Sequence, residues 1–267
     1  MNLSSTIRIG FFASLLSGSA VAQQLSFNDF SLVKGKDLQK GSSYRFYNVT
    51  SGVDAVIKVE RLSNASLVRI DDSPIARDAL GDSAWRPIVS GVSNSGQKET
   101  HYVDFSVGFY ANGGNRPVGL DSLTMSIFDT DGDNDLADFS DNEDGNVIEF
   151  ARVTGFSSLL STGNMLEVTY NSNGSATVRA KDSTTNDGVT DAAPWLSVWK
   201  LDDKHSYSVR LGWEGTDDDM SMDNDRLFGA YFTGVNTPEI VPVPEPSTAL
   251  LALIGAAAAM FRRNRKS

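Results

Sequence analysis

Residues His101-Tyr102-Val103-Asp104-Phe105-Ser106-Val107-Gly108-Phe109 decide the fold. His101, Val103, Phe105, Val107 and Phe109 share one parity, and Tyr102, Asp104, Ser106 and Gly108 share the other. A side-chain period of two marks a strand with one buried face and one wet face. The same alternation returns at Val53, Ala55, Ile57 and Val59, at Leu123, Met125 and Ile127, and at Ala176, Val178 and Ala180. It is equally long at His205, Tyr207, Val209, Leu211 and Trp213. Further strands are expected at 44–49, 65–70, 147–153, 165–170, 195–201 and 226–233. Gly, Asn, Asp and Ser cluster between them, as at Asn112-Gly113-Gly114-Asn115 and Asn171-Ser172-Asn173-Gly174. About eleven short strands without an amphipathic helix predict an all-β chain folded as a single β-sandwich-like domain.

The whole chain has 267 residues, 23 Lys plus Arg against 34 Asp plus Glu, no cysteine and two histidines. The missing cysteines exclude disulfides, thiolate nucleophiles and Cys-ligated metal centres. Acidity excludes a nucleic-acid binder, because phosphate affinity comes mainly from Lys and Arg. His101 and His205 each open a strand on its apolar parity. Both are expected as partly buried strand-end residues with one hydrogen bond, with a paired metal or catalytic role as the alternative.

Both termini read as addresses. Residues 1–22 read as a secretory signal peptide, with a buried first helix as the alternative: Arg8, an apolar small-residue stretch from Ile9 to Ala20, and Ala20-Val21-Ala22 as an A-x-A cleavage site before Gln23. At the other end stand Pro242-Val243-Pro244-Glu245-Pro246, an apolar block and Arg262-Arg263-Asn264-Arg265-Lys266-Ser267. The prolines bar helix continuation. Residues 247–261 would make a membrane-seeking helix roughly 22 Å long, short of the ~20 residues a comfortable transmembrane helix needs. The basic stop of Arg262, Arg263, Arg265 and Lys266 would hold that end in the cytoplasm. Residues 23–241 are then the exported domain and 242–267 its tail, with a permanent membrane anchor as the plain alternative. Without leader and tail, 18 basic residues face 34 acidic ones, a net charge of −16 for 23–246.

This tripartite tail resembles the PEP-CTERM sorting signal, on Pro244, Glu245 and Pro246, the short apolar helix and the basic terminus. The resemblance is confined to the tail. It implies recognition by an exosortase, an integral-membrane processing enzyme, and cleavage near the motif. It also implies release to the cell envelope or extracellular matrix of a Gram-negative host that makes exopolysaccharide. Pro244, Glu245 and Pro246 would be recognised by that enzyme and carry no catalysis here.

The sharpest chemical constellation is Asp129-Thr130-Asp131-Gly132-Asp133-Asn134-Asp135, continuing through Asp138, Asp141, Glu143, Asp144 and Glu149. Alternating carboxylates on a turn-prone backbone can converge on calcium, which takes six to eight oxygens and tolerates irregular loops. The spacing is not that of an EF-hand, since Asn134 or Glu143 falls where that loop needs glycine. Asp129, Asp131, Asp133, Asp135, Asp138, Asp141 and Asp144 are therefore the expected calcium ligands, against a solvated acidic loop as the alternative. A second cluster, Asp217-Asp218-Asp219 with Asp223 and Asp225, reads first as a polar hairpin loop. Trp85, Trp195, Trp199 and Trp213 suit the core better than a sugar-stacking platform. Enzyme motifs such as G-x-S-x-G, H-E-x-x-H and the Walker loop are missing.

The sequence therefore predicts a non-enzymatic, calcium-stabilised structural or adhesive domain associated with exopolysaccharide or biofilm. A lectin-like carbohydrate-binding module is the alternative, and a secreted glycoside hydrolase a weaker one, since it needs only two placed carboxylates.

Overall fold

The computed structural model describes residues 23–71, 83–91, 99–128, 130, 132–133, 147–181, 195–201, 205–215 and 225–235. The chain divides into two units, Met1–Thr237 and Pro238–Ser267, and every described residue belongs to the first. The expected signal helix and membrane-seeking helix lie outside the described residues.

Seventeen strands are described. The first half of the chain holds β1 (Gln23–Gln24), β2 (Phe30–Lys34), β3 (Ser43–Thr50), β4 (Val53–Ser63), β5 (Ala65–Arg69), β6 (Ile88–Gly91), β7 (Glu99–Ala111) and β8 (Asp121–Phe128). The second half holds β9 (Gly132–Asp133), β10 (Val147–Thr154), β11 (Phe156–Thr162), β12 (Leu166–Tyr170) and β13 (Ser175–Ala180). It ends with β14 (Ser197–Leu201), β15 (Ser206–Gly215), β16 (Asp225–Leu227) and β17 (Gly229–Val235). All eleven expected strands are present, the last divided into β16 and β17. The count rises because β1, β2, β6, β9 and β11 are too short or too irregular to show a period.

Every pairing is antiparallel. A nine-stranded sheet runs β12-β13-β10-β15-β7-β4-β3-β2, with β9 on the end of β10. A five-stranded sheet runs β1-β17-β8-β14-β11, and β16-β6-β5 make a third. Tight turns set several registers. Gly52, at φ 75°, lets Thr50 pair with Val53 across a two-residue loop.

One hydrophobic core joins the sheets. From the large sheet it takes Ile57, Val103, Phe105, Val107, Phe109, Val209 and Leu211; from the five-stranded sheet, Leu123, Met125, Ile127, Trp199 and Phe232. Phe109 meets Phe232 edge-on across the gap at 6.2 Å, and Phe27 bridges Phe46 and Phe232 at 5.3 and 5.2 Å. Each such ring removes roughly 150–250 Å² from water, which is how a chain without disulfides holds two sheets together.

All four tryptophans are spent here. Trp85, Trp199 and Trp213 are fully buried and Trp195 is 6% exposed. Trp85 packs edge-on against Phe105 at 4.9 Å and donates its Nε1–H to the Ile70 carbonyl. The sugar-stacking role for tryptophan is thereby excluded. The two histidines separate. His101 is buried, stacked on Trp213 at 5.3 Å, and hydrogen-bonded through Nδ1 to the Asn64 carbonyl. His205, by contrast, lies just before β15 and is exposed, because the strand begins one residue later than its parity suggests.

Candidate functional site

The polar parity of the same strands builds the outer face of the nine-stranded sheet. Register places Arg61, Asp104, Arg210, Arg152, Thr177 and Thr169 in one row across β4, β7, β15, β10, β13 and β12. The next row reads Tyr102, Gly212, Phe150, Arg179 and Glu167. Four arginines thus gather on one face of a domain whose net charge is strongly negative.

Each guanidinium is held differently. Arg210 donates from Nε and Nη2 to the two oxygens of Asp104, at 2.6 and 3.0 Å, and its plane lies 3.7 Å above the Tyr102 ring. Burial alone would lower the Arg210 pKa, but Asp104 and Tyr102 outweigh it and raise it, so the charge is permanent. Arg61 covers the same ring at 5.3 Å. Arg179 pairs with Glu167 at 2.9 Å and reaches Glu214 at 3.8 Å. Arg152 donates its Nε–H to Thr177 Oγ1 at 2.9 Å. That hydroxyl also accepts from Asn171 Nδ2 at 3.1 Å, and Asn171 in turn is braced by Ser175 at 3.0 Å.

Between these side chains lies an open groove of about 400 Å³, floored by Tyr102 and Phe150 and walled by Arg152, Arg179, Arg210 and Glu214. A second hollow of about 250 Å³ continues it past Arg152 and Arg210 toward Glu60, Asn173 and Ser208. Gly212 has to be glycine. A Cβ there would lie 2.1 Å from the His101 carbonyl oxygen and 2.6 Å from the Tyr102 Cβ. The neighbouring strand fills the space a side chain would take, so β15 and β7 approach closely at that row. At the far wall, burial pushes the Glu60 pKa up. Hydrogen bonds from Lys58 at 2.6 Å and Ser106 at 2.9 Å, with the charges of Lys58 and Lys40, outweigh that and hold it below the usual range.

The expected calcium ligands fall mostly elsewhere. Asp129, Asp131, Asp135, Asp138, Asp141 and Asp144 lie outside the described residues, and of Asp133 only the backbone is described, pairing with Val147. Among the described residues, no three His, Asp or Glu side chains converge as a metal site. Thr130, between Asp129 and Asp131, is buried with no hydrogen-bond partner for Oγ1 among the described residues. Glu149 leaves the acidic run altogether. It points inward, 3% exposed, with its carboxylate 3.9 Å from Arg226 Nε. β10 begins and β15 ends beside one another, with Ile148 paired to Glu214. The signal-cleavage residues Ala20 and Ala22, the sorting residues Pro244, Glu245 and Pro246, and the basic stop also lie outside the described residues.

Sequence reading missed the outer-face groove. Arg152, Arg179 and Arg210 each stand on the polar parity of a different strand, and only register brings them together.

No curated protein sequence is significantly similar to this chain. Among solved structures, the N-terminal domain of a Streptococcus gordonii adhesin is similar at a TM-score of 0.42 and 15% identity, over 81% of this chain and 57% of that one. Glucan binding protein C of Streptococcus mutans is similar at a TM-score of 0.42 and 11% identity, over 79% of this chain and 59% of that one. The chain therefore spans less than two thirds of either. The tail gives the firm assignment: residues 242–266 are a PEP-CTERM protein-sorting motif, so this is an exported protein with a C-terminal sorting signal.

Proposed function

We propose that this protein is an exosortase-processed, non-catalytic component of the cell envelope or extracellular matrix, a calcium-stabilised β domain that associates structurally or adhesively with exopolysaccharide in a biofilm. The observation that carries the reading is the sorting motif at 242–266 on a chain whose described residues are all β. A rigid sandwich with one polar face suits a binding role. Two observations support its parts. Thr130 Oγ1 is a buried oxygen without a described partner at the head of the acidic loop. Its sequence neighbours Asp129, Asp131 and Asp133 are carboxylates, the oxygen ligands calcium takes, and an ion would relieve the repulsion among them. Glu60, a groove carboxylate, is held below its usual pKa, whereas a glycosidase acid needs one raised.

The test uses the full chain in detergent, with calcium, magnesium or chelator. Calcium should raise the melting temperature, since an ion at 100 times its Kd stabilises the folded state by about 2.7 kcal/mol. The protein should also be retained on the exopolysaccharide of its own host. Identical melting in all three buffers would remove calcium from the proposal. Failure of retention in every buffer would remove the glycan association.

A further inference from the structure

We infer that the groove centred on Arg152 binds the carboxylate of a uronate-containing polysaccharide. The inference rests on the glycan-associated reading above and names the class of glycan and the residue that takes its charge.

The row Arg61–Asp104–Arg210–Arg152 is unbalanced, with three cations and one anion. Arg152 and Arg210 stand directly opposite on adjacent strands. Like charges in that position destabilise a sheet unless something neutral or negative intervenes. Asp104 engages Arg210 through both oxygens, on the side away from Arg152. Among the described residues, the one hydrogen bond of Arg152 is to the Thr177 hydroxyl, and no carboxylate lies within 4.0 Å of it. That bond uses Nε, and Thr177 is itself fixed by Asn171. The guanidinium plane is therefore oriented in advance while Nη1 and Nη2 stay available. Two parallel N–H groups on a fixed plane are the complement of a carboxylate.

The surroundings choose a sugar acid over a neutral sugar. Tyr102 and Phe150, the two aromatic rings of the groove, are only 8% and 6% exposed. Arginines lie over Tyr102, so the groove offers no open ring for stacking a neutral pyranose. Thr100, Thr169 and Asn171 line the same space and can exchange hydrogen bonds with ring hydroxyls. The neighbouring hollow shares Arg152 and Arg210 but carries Glu60 and Asp104. It would repel a second carboxylate and accept from hydroxyls instead. An extended chain, with one acidic ring at Arg152 and a hydroxyl-rich neighbour beyond it, fits both halves.

The experiment is titration of the full chain in detergent with polyuronate oligosaccharides and with a neutral glucan, in chelator, so that bridging by calcium is absent. Polyuronate should bind and the glucan should not. Arg152→Gln should weaken binding about tenfold or more, equivalent to about 1.4 kcal/mol, and Arg152→Lys should restore part of it. Both variants should melt within about 2 °C of the parent, as for other surface changes. Unchanged polyuronate affinity in Arg152→Gln overturns the inference, as does equal affinity for the neutral glucan. Retention only in calcium, indifferent to Arg152, overturns it while leaving the proposed function intact. Absence of polyuronate binding overturns the inference alone, whereas failure of retention on the host's own exopolysaccharide in every buffer overturns both.

Discussion

β7 and β15 carry two different proteins on their two faces. Inward stand Val103, Phe105, Val107 and Phe109 beside Val209, Leu211 and Trp213, all at 1% exposure or less. Outward stand Asp104 and Ser106 beside Ser208 and Arg210 on the same backbone and in the same register. The inner face gains from every methylene it hides, roughly 0.8 kcal/mol each. The outer face holds charge pairs at a partly solvated surface, where the median pair contributes only about 0–1 kcal/mol. Stability therefore belongs to one parity, and the other is left available for recognition.

The largest break in that comparison is Phe105→Ala. Phe105 is fully buried between the sheets, edge-on to Trp85 at 4.9 Å. Truncating it should cost about 3–5 kcal/mol, read as a fall in urea midpoint at constant slope. A loss below about 1 kcal/mol would mean that the two sheets do not pack as described.

Asp54 sharpens the comparison by crossing it. It lies on the outer parity, opposite Tyr110, yet its side chain is fully buried. Its carboxylate accepts from the Asn48 and Gly113 amides at 2.9 Å each and from Arg45 at 3.0 Å. It therefore ties the β3–β4 hairpin to the turn after β7. Asp54→Ala should cost about 3 kcal/mol, the low end for breaking a buried pair, because Arg45 keeps 13% exposure. Burial pushes the Asp54 pKa up, but the Asn48 and Gly113 hydrogen bonds and the Arg45 charge outweigh it and lower it. Glu60 is lowered as well. In both, the unfolded chain binds the proton more readily, so stability rises with pH through the window. The contribution is complete above roughly pH 4–5 and disappears as pH falls through the native values. Denaturation midpoints against pH should show that slope, and it should be shallower in Asp54→Ala. Equal slopes would remove Asp54 from the account.

The two faces were unequally legible. The inner face writes itself in period two, so β4, β7, β8, β13 and β15 are visible without coordinates. β11 was lost because its register shifts between Phe156 and Ser158 and again between Leu159 and Ser161, which breaks the alternation that would reveal it. β6 has four residues and β2 is an edge strand with Phe30, Leu32 and Val33 partly in water, so neither shows a clean two-faced pattern. The outer groove was invisible for a different reason. Arg152 and Arg210 are 58 positions apart, and each alone is an ordinary wet-face residue. Their neighbourhood exists only in the pairing of β10 with β15. The aspartate run stands out in the sequence because its residues are adjacent there, which is the one kind of proximity a sequence displays.

Asp104→Asn should have the smallest effect and isolates the outer face most cleanly. It removes the charge facing Arg210 but keeps the shape, and Arg210 retains its seat on Tyr102 at 3.7 Å, a contact that contributes about 0.5–1 kcal/mol where exposed. The two side chains are 21% and 25% exposed, so water screens part of what is lost. The expected cost is about 1 kcal/mol or less, seen as a shift of a few degrees in melting temperature at most. A loss of about 3 kcal/mol would place this pair among buried ion pairs. The outer face would then carry stability as the inner one does, and the Asp104–Arg210 pair would count among the supports of the fold.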